Sequence, residues 1–208
     1  MNPPRYQSPI ALNFDDLIYI CQELKIKGKN KGATYNSVDR IFEVEDKIVL
    51  KVNDVFYSLV EYHFHVPGEH TINGKEYPSE VHYVFYQMDH EKDYKKCKGD
   101  VCGTGGINGG TTTTNKTNNN DEKILVIGRV IRNGCNKNNL NKLQVNLPSS
   151  YFEYDGTLTG QSIEDKTTPV RWIVGRKYIR LPLEKIESIA KTSKHLSPLD
   201  NRIIMFSC

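Results

Sequence analysis

At 208 residues the chain is long enough for one substantial hydrophobic core, and one domain spanning 1–208 is the expectation. Apolar residues make up 38% and charged residues 25%, with 15 Gly and 9 Pro, which excludes a disordered or collagen-like chain. The net charge is only +3 and no basic block exceeds two residues, so nucleic acid is not an expected partner.

In chain order, Asp15 to Leu24 reads as a short helix candidate. Lys47 to Asn53 and Phe56 to His65 are rich in Val, Ile, Tyr and Phe and predict strands. Asn73-Gly74 marks a hairpin connection, and Glu80 to Gln87 predicts the returning strand. Residues 97–122 (CKGDVCGTGGINGGTTTTNKTNNNDE) have almost nothing to bury and read as a low-complexity loop inserted into the domain. Lys123 to Arg132 and Val170 to Val174 predict two further strands, and Pro182 to Lys191 is the best helix candidate. Periodicity therefore predicts a mixed, sheet-dominated (α+β) single domain without internal repeats.

No stretch approaches the ~18 uninterrupted apolar residues that a bilayer span requires. The N-terminus lacks a charged start followed by an apolar run, so a secretory signal is not expected. The five cysteines are odd in number and scattered, which favours a reducing, cytoplasmic setting over a disulfide scaffold.

The stretch from Leu59 to Phe85 is the most informative. Alternation in a strand puts His63 and His65 on one face and Tyr62 and Phe64 on the other. An antiparallel return through Asn73-Gly74 lets His82 join them, with Glu80 two residues away on the same face. Three neutral imidazoles leave a zinc ion one open coordination position, and Glu80 can fix the tautomer of a ligand. Histidines aligned in this way are also compatible with ordinary residues satisfied by hydrogen bonds, so the surrounding motifs have to decide.

Those motifs are Gln7-Ser8-Pro9-Ile10, Tyr62-His63-Phe64-His65, Gly68-Glu69-His70-Thr71, Ser79-Glu80-Val81-His82, Leu125-Val126-Ile127-Gly128, Gly156-Thr157-Leu158-Thr159, Arg171-Trp172-Ile173-Val174 and Pro198-Leu199-Asp200-Asn201-Arg202. In this order, over nearly the whole chain, the sequence resembles the alpha-class carbonic anhydrases. The short loop from His65 to Glu69 is similar to the bacterial branch, and the Asn/Thr-rich insertion resembles loops encoded by AT-rich genomes, including giant viruses and some amoebae.

The resemblance implies a central, twisted, mostly antiparallel sheet of about ten strands with short peripheral helices. It implies zinc (Zn2+) as cofactor and reversible hydration of CO2 to bicarbonate as the reaction. His63, His65 and His82 match the metal ligands and Glu80 the carboxylate behind one of them. Thr159 and Glu69 match the hydroxyl and carboxylate that orient the nucleophile. Val84, Val126, Leu158 and Trp172 match the apolar patch that holds CO2, a set that ordinary core packing also accounts for.

The chain departs from the family pattern at Gly160-Gln161-Ser162, where Thr-Pro-Pro is usual, and Thr167-Thr168-Pro169 offers a competing alignment. Glu45-Asp46-Lys47 stands where many relatives carry a proton-shuttle histidine, and a lysine of ordinary pKa is a poor shuttle at neutral pH. Slower turnover than typical members is the expectation. The alternative is a catalytically weak binding module of the same fold that holds glycosaminoglycan or protein partners and is associated with a virion if a virus encodes it. Retention of all three histidines with Glu69, Glu80 and Thr159 favours the enzyme.

Overall fold

The computed structural model describes residues 7–15, 17–88, 97–98, 101–102, 124–134, 139–159 and 168–208, the four residues of 97–102 by backbone alone. Most of the predicted insertion at 97–122 therefore lies outside the described residues. Sixteen strands appear among the described residues. Six are short and come first: β1 (Ala11–Leu12), β2 (Ile18–Ile20), β3 (Leu24–Lys27), β4 (Thr34–Asn36), β5 (Ile41–Glu43) and β6 (Val49–Val52). The long strands β7 (Val55–Val66) and β9 (Ser79–Gln87) flank the two-residue β8 (Thr71–Ile72). Then come β10 (Cys97–Lys98), β11 (Val101–Cys102), β12 (Ile124–Asn133), β13 (Tyr151–Thr157), β14 (Pro169–Leu181), β15 (Lys191–Thr192) and β16 (Met205–Ser207).

Twelve strands share one sheet, whose main path runs β2-β16-β13-β14-β12-β9-β7-β5-β4, with β15 and β6 on β7 and β3 on β6. Pairing is mostly antiparallel; β12 with β14, β15 with β7 and β16 with β2 are the parallel pairs. The long central strands bury both faces, and alternation divides their side chains between two cores. Tyr62, Phe64, Val81, Tyr83, Leu125 and Ile127 build one. Val84, Val126, Phe152, Tyr154, Trp172 and Val174 build the other. Among the described residues no helix is long and apolar enough to cross a membrane.

The Asn-Gly signal is realised as a tight turn. Asn73 and Gly74 both have positive φ, at 50° and 71°, and Ile72 and Lys75 exchange backbone hydrogen bonds of 3.0 and 3.1 Å. That is the geometry for which Asn and Gly are favoured.

Two helix expectations need correction. The described residues of 15–24 hold no helix: Ile18–Ile20 forms the edge strand β2, and Leu24 opens β3. Ile18 and Tyr19 are 50% and 70% exposed, so the segment has no apolar stripe to bury, and its branched and aromatic residues suit pairing with β16. The helix foreseen from Pro182 to Lys191 is real but short: α1 spans Leu183–Glu187, burying Ile186. It stops because Lys191 and Thr192 are captured by the edge of β7.

Candidate metal centre

The register between β7 and β9 sets His63 opposite His82 and His65 opposite Glu80. All three imidazoles emerge on the face that carries Trp172. Their ring centroids stand 5.1 Å apart for His63 and His65, 5.4 Å for His63 and His82, and 4.7 Å for His65 and His82. One ring nitrogen of each lies within 4.8 Å of the others, an arrangement that could hold a metal ion. Exposure is 8% for His63, 4% for His65 and 1% for His82, so water cannot replace missing partners freely.

Burial keeps the His63 and His65 rings neutral. Burial pulls His63 down to about 4 and His65 down to about 2, and neighbouring histidines push in the same direction. Neutral imidazole is the form that ligates. A stability consequence follows. Below the ordinary histidine value of 6.5 the unfolded chain takes up protons that the folded metal-free chain refuses until about 4, so stability must fall as pH drops through that window. Urea melts of metal-free protein should show this loss, and it should shrink in His63→Phe; a flat profile between those pH values would contradict the assignment.

Carboxylates stand behind the rings. His63 Nδ1 lies 3.1 Å from Glu61 Oε1, which leaves Nε2 for the centre. Burial works against ionisation of Glu61, but the bond and charge of His63 and the charge of Lys191 hold its carboxyl below the usual range. Glu80 is fully buried. Its Oε2 accepts from the backbone N–H of Glu69 at 3.0 Å and of His70 at 2.9 Å, and its Oε1 pairs with His70 Nδ1 at 2.8 Å. Burial alone would raise its carboxyl; the charge and hydrogen bond of His70 and the charge of His82 hold it well below the usual range. His82 Nε2 is 3.1 Å from Glu80 Oε1, but out of line for a hydrogen bond, so the contact is electrostatic and leaves Nδ1 for the centre. From His70 the network continues to the Tyr154 hydroxyl at 2.7 Å and on to Ser8 Oγ, 3.2 Å beyond.

Glu69 sits beside the cluster, with Oε1 3.4 Å from His65 Nδ1 and Oε2 3.9 Å from His82 Nδ1. Its Oε1 accepts from Lys194 N at 2.9 Å, while Oε2 has no hydrogen-bond partner among the described residues. The hydrogen bond to Thr159 that the resemblance implies is therefore not made here. Among the described residues, three of the eight buried side-chain polar atoms without a hydrogen-bond partner belong to this one place, both ring nitrogens of His65 and Glu69 Oε2. Native proteins leave few such atoms, and a cluster of them points to a further polar or metallic occupant. The donor set, three imidazole nitrogens from a paired β7 and β9, fits zinc.

A cleft of about 320 Å³ opens over the rings. Eight of the ten site residues expected from the sequence line it: His63, His65, His82 and Thr159, with Val84, Val126, Leu158 and Trp172 as an apolar wall. Glu69 and Glu80 lie behind the rings. Trp172 is fixed by an N–H donated to Thr157 O at 3.0 Å, and its ring stands 4.8 Å from that of His82. Residues 160–167, which contain the altered turn, lie outside the described residues. Thr168, from the competing alignment, is not in the lining, and neither is Lys47.

Sequence reasoning missed Glu61 and Lys191, both at the cleft. Glu61 was available by the rule that picked out Glu80, since each glutamate stands two residues before a histidine on the same face of its strand. Lys191 carries no such signal. It arrives through the parallel pairing of β15 beside His65, and burial pulls its pKa down.

Comparison with known proteins bears on this site. A family model described as eukaryotic-type carbonic anhydrase matches residues 4–202. No curated protein matches the sequence. The alpha-carbonic anhydrase from Thermovibrio ammonificans, solved with the inhibitor sulfanilamide, superposes with a TM-score of 0.66 at 21% identity, covering 96% of this chain and 86% of its own. A hyperthermostable carbonic anhydrase from an active hydrothermal vent chimney gives 0.66 at 22%, covering 99% and 89%. The alpha-carbonic anhydrase of Photobacterium profundum gives 0.64 at 19%, covering 98% and 90%. At these identities the likeness is one of fold.

Proposed function

Since the chain belongs to the eukaryotic-type carbonic anhydrase family, we propose that it interconverts CO2 and bicarbonate, with a zinc ion held by His63, His65 and His82. The observation that carries this reading is the meeting of three buried imidazoles at one point beside an apolar wall. When bound, zinc supplies a Lewis acid that makes a water nucleophilic near neutral pH. Everything else falls to the protein. Glu61 and Glu80 fix the two rings they touch, so the donor nitrogens need no reorganisation on metal capture. Val84, Val126, Leu158 and Trp172 offer an apolar seat that suits linear, non-polar CO2 better than water. Thr159 supplies a hydroxyl at the same cleft, and the unpartnered Glu69 Oε2 is the acceptor available for its proton once the two close up.

The proton released has a poor way out. Among the described residues no histidine beyond the trio lines the cleft, whose mouth carries Glu61 and Lys191. Turnover is therefore expected to be slower than in typical family members and to rise with the concentration of an added imidazole buffer. Metal analysis and stopped-flow CO2 hydration test the proposal together. The expected result is one zinc per chain and a buffer-dependent rate well above background. Tight zinc without hydration would replace it with a non-catalytic binding module of the same fold, and absence of zinc binding would end both the metal assignment and the reaction.

A further inference from the structure

Cys21 and Cys208 are free, exposed thiols at opposite ends of the sequence, and the fold brings them to one corner of the sheet. Cys21 directly follows β2 and Cys208 directly follows β16. These strands run parallel, with Ile18 opposite Met205, Tyr19 opposite Phe206 and Ile20 opposite Ser207. The same register carried one residue further sets Cys21 opposite Cys208. Neighbouring strands lie about 4.8 Å apart, and a disulfide spans Cα separations of roughly 4.4–6.8 Å.

Side chains two residues apart on a strand share a face. Tyr19 and Phe206 each stand two residues before a cysteine, and they meet across the strand pair with ring centroids 6.0 Å apart. Alternation therefore puts both thiols on the face where those rings touch. The backbone just beyond Cys21 is held as well. Gln22 Nε2 donates to the Tyr151 hydroxyl at 3.1 Å and to Glu153 Oε2 at 2.9 Å, and the Tyr151 hydroxyl donates to Gln22 O at 3.3 Å. Tyr151 of β13 is the residue opposite Ser207 on the other side of β16. Cys21 is thus pinned from both directions, by Ile20 paired with Ser207 and by Gln22 bonded to the residue beyond Ser207.

We propose that Cys21 and Cys208 are a redox modification site: a low-molecular-weight disulfide such as oxidised glutathione converts them into an intramolecular disulfide that staples β2 to β16. One cysteine thiolate attacks a sulfur of the oxidant and expels one thiol. The other cysteine then attacks the mixed disulfide at the protein sulfur and expels the second. Each cysteine gives up one proton, and the two electrons leave on two molecules of reduced thiol. Before oxidation the edge strand is joined to β16 by a three-residue pairing; afterwards the join is covalent and closes a loop of nearly the whole chain, the case in which chain entropy predicts a large gain. Neither thiol lines the histidine cleft, so a chain inactive toward CO2 would still form the staple.

The test incubates the folded full chain with oxidised glutathione or with dithiothreitol, alkylates the remaining thiols and digests without reduction. The expected result is a pair of peptides joined through Cys21 and Cys208, from a chain that still runs as a monomer on a non-reducing gel. The oxidised protein should melt roughly 5–10 °C above the reduced one. Cys21→Ser and Cys208→Ser, both at exposed positions, should fold and melt like the reduced wild type and lack that gain on oxidation. Any pairing among the other three cysteines would shift wild type and variants alike, so the difference between them is the readout. Alkylation or single glutathione capping of both thiols after oxidation, a covalent dimer through either of them, or an equal gain in wild type and variants would overturn the proposal.

Discussion

Replacement of His65 by alanine is expected to take bound zinc and CO2 hydration to background while leaving the metal-free protein folded. His65 is buried with neither ring nitrogen hydrogen-bonded, so within the polypeptide it is a cost and not a support. Its removal therefore costs the metal-free fold little beyond lost packing. Toward the metal the balance reverses. Structural zinc sites bind with about 10–16 kcal/mol shared among four ligands, so loss of one imidazole removes roughly 3–4 kcal/mol, or two to three orders of magnitude in affinity. Zinc should raise the melting temperature of the wild type and leave that of His65→Ala unchanged. A variant that retains one tightly held zinc, or hydrates CO2 at the wild-type rate, would show that the cluster is not the reactive centre.

The second large effect is expected at Glu80. Glu80→Ala leaves two buried backbone N–H groups and the His70 ring without their acceptor, and such an uncompensated loss costs about 3–5 kcal/mol. In a domain of this size that corresponds to a drop of roughly 10 °C in melting temperature. The space for this carboxylate is provided by Gly128, which faces His82 across the β9–β12 register; a Cβ there would stand 2.7 Å from Glu80 Oε1. Since Glu80 is tied at both oxygens, it cannot swing aside cheaply, and Gly128→Ala should cost about 1–3 kcal/mol and weaken zinc binding as well. Thermal melts and zinc competition on both variants check this. Wild-type stability in Glu80→Ala would mean that the carboxylate network carries no weight.

How much of this was legible in the sequence depended on the range of the interactions. The imidazole trio was, because a period of two in β7, a period of two in β9 and an Asn-Gly turn between them fix which side chains meet. The apolar wall was legible only through resemblance, since Val126 and Trp172 read as ordinary strand residues. Lys191 was not legible, because it enters by parallel pairing with a strand far earlier in the chain. The helix expected at Asp15 failed for a related reason: the partner that makes Ile18–Ile20 a strand is β16, at the other end of the sequence. Arg129 was hidden too, since a charged residue inside the run Ile124–Asn133 gives no sign that its head group will be held by Asn146 and Lys177.

The same contrast between near and far partners bears on the order of folding. The three imidazoles ride on two strands adjacent in sequence, β7 and β9, joined by a connection that contains the Ile72–Lys75 turn, and local pairings form fastest. The apolar wall and the β2–β16 edge need parallel pairings between distant segments, which form late because their loop-closure entropy must be met first. A nascent chain thus presents its nitrogen donors before the cleft around them exists, so a divalent ion can be captured from open solvent and enclosed afterwards, without having to descend through a finished protein.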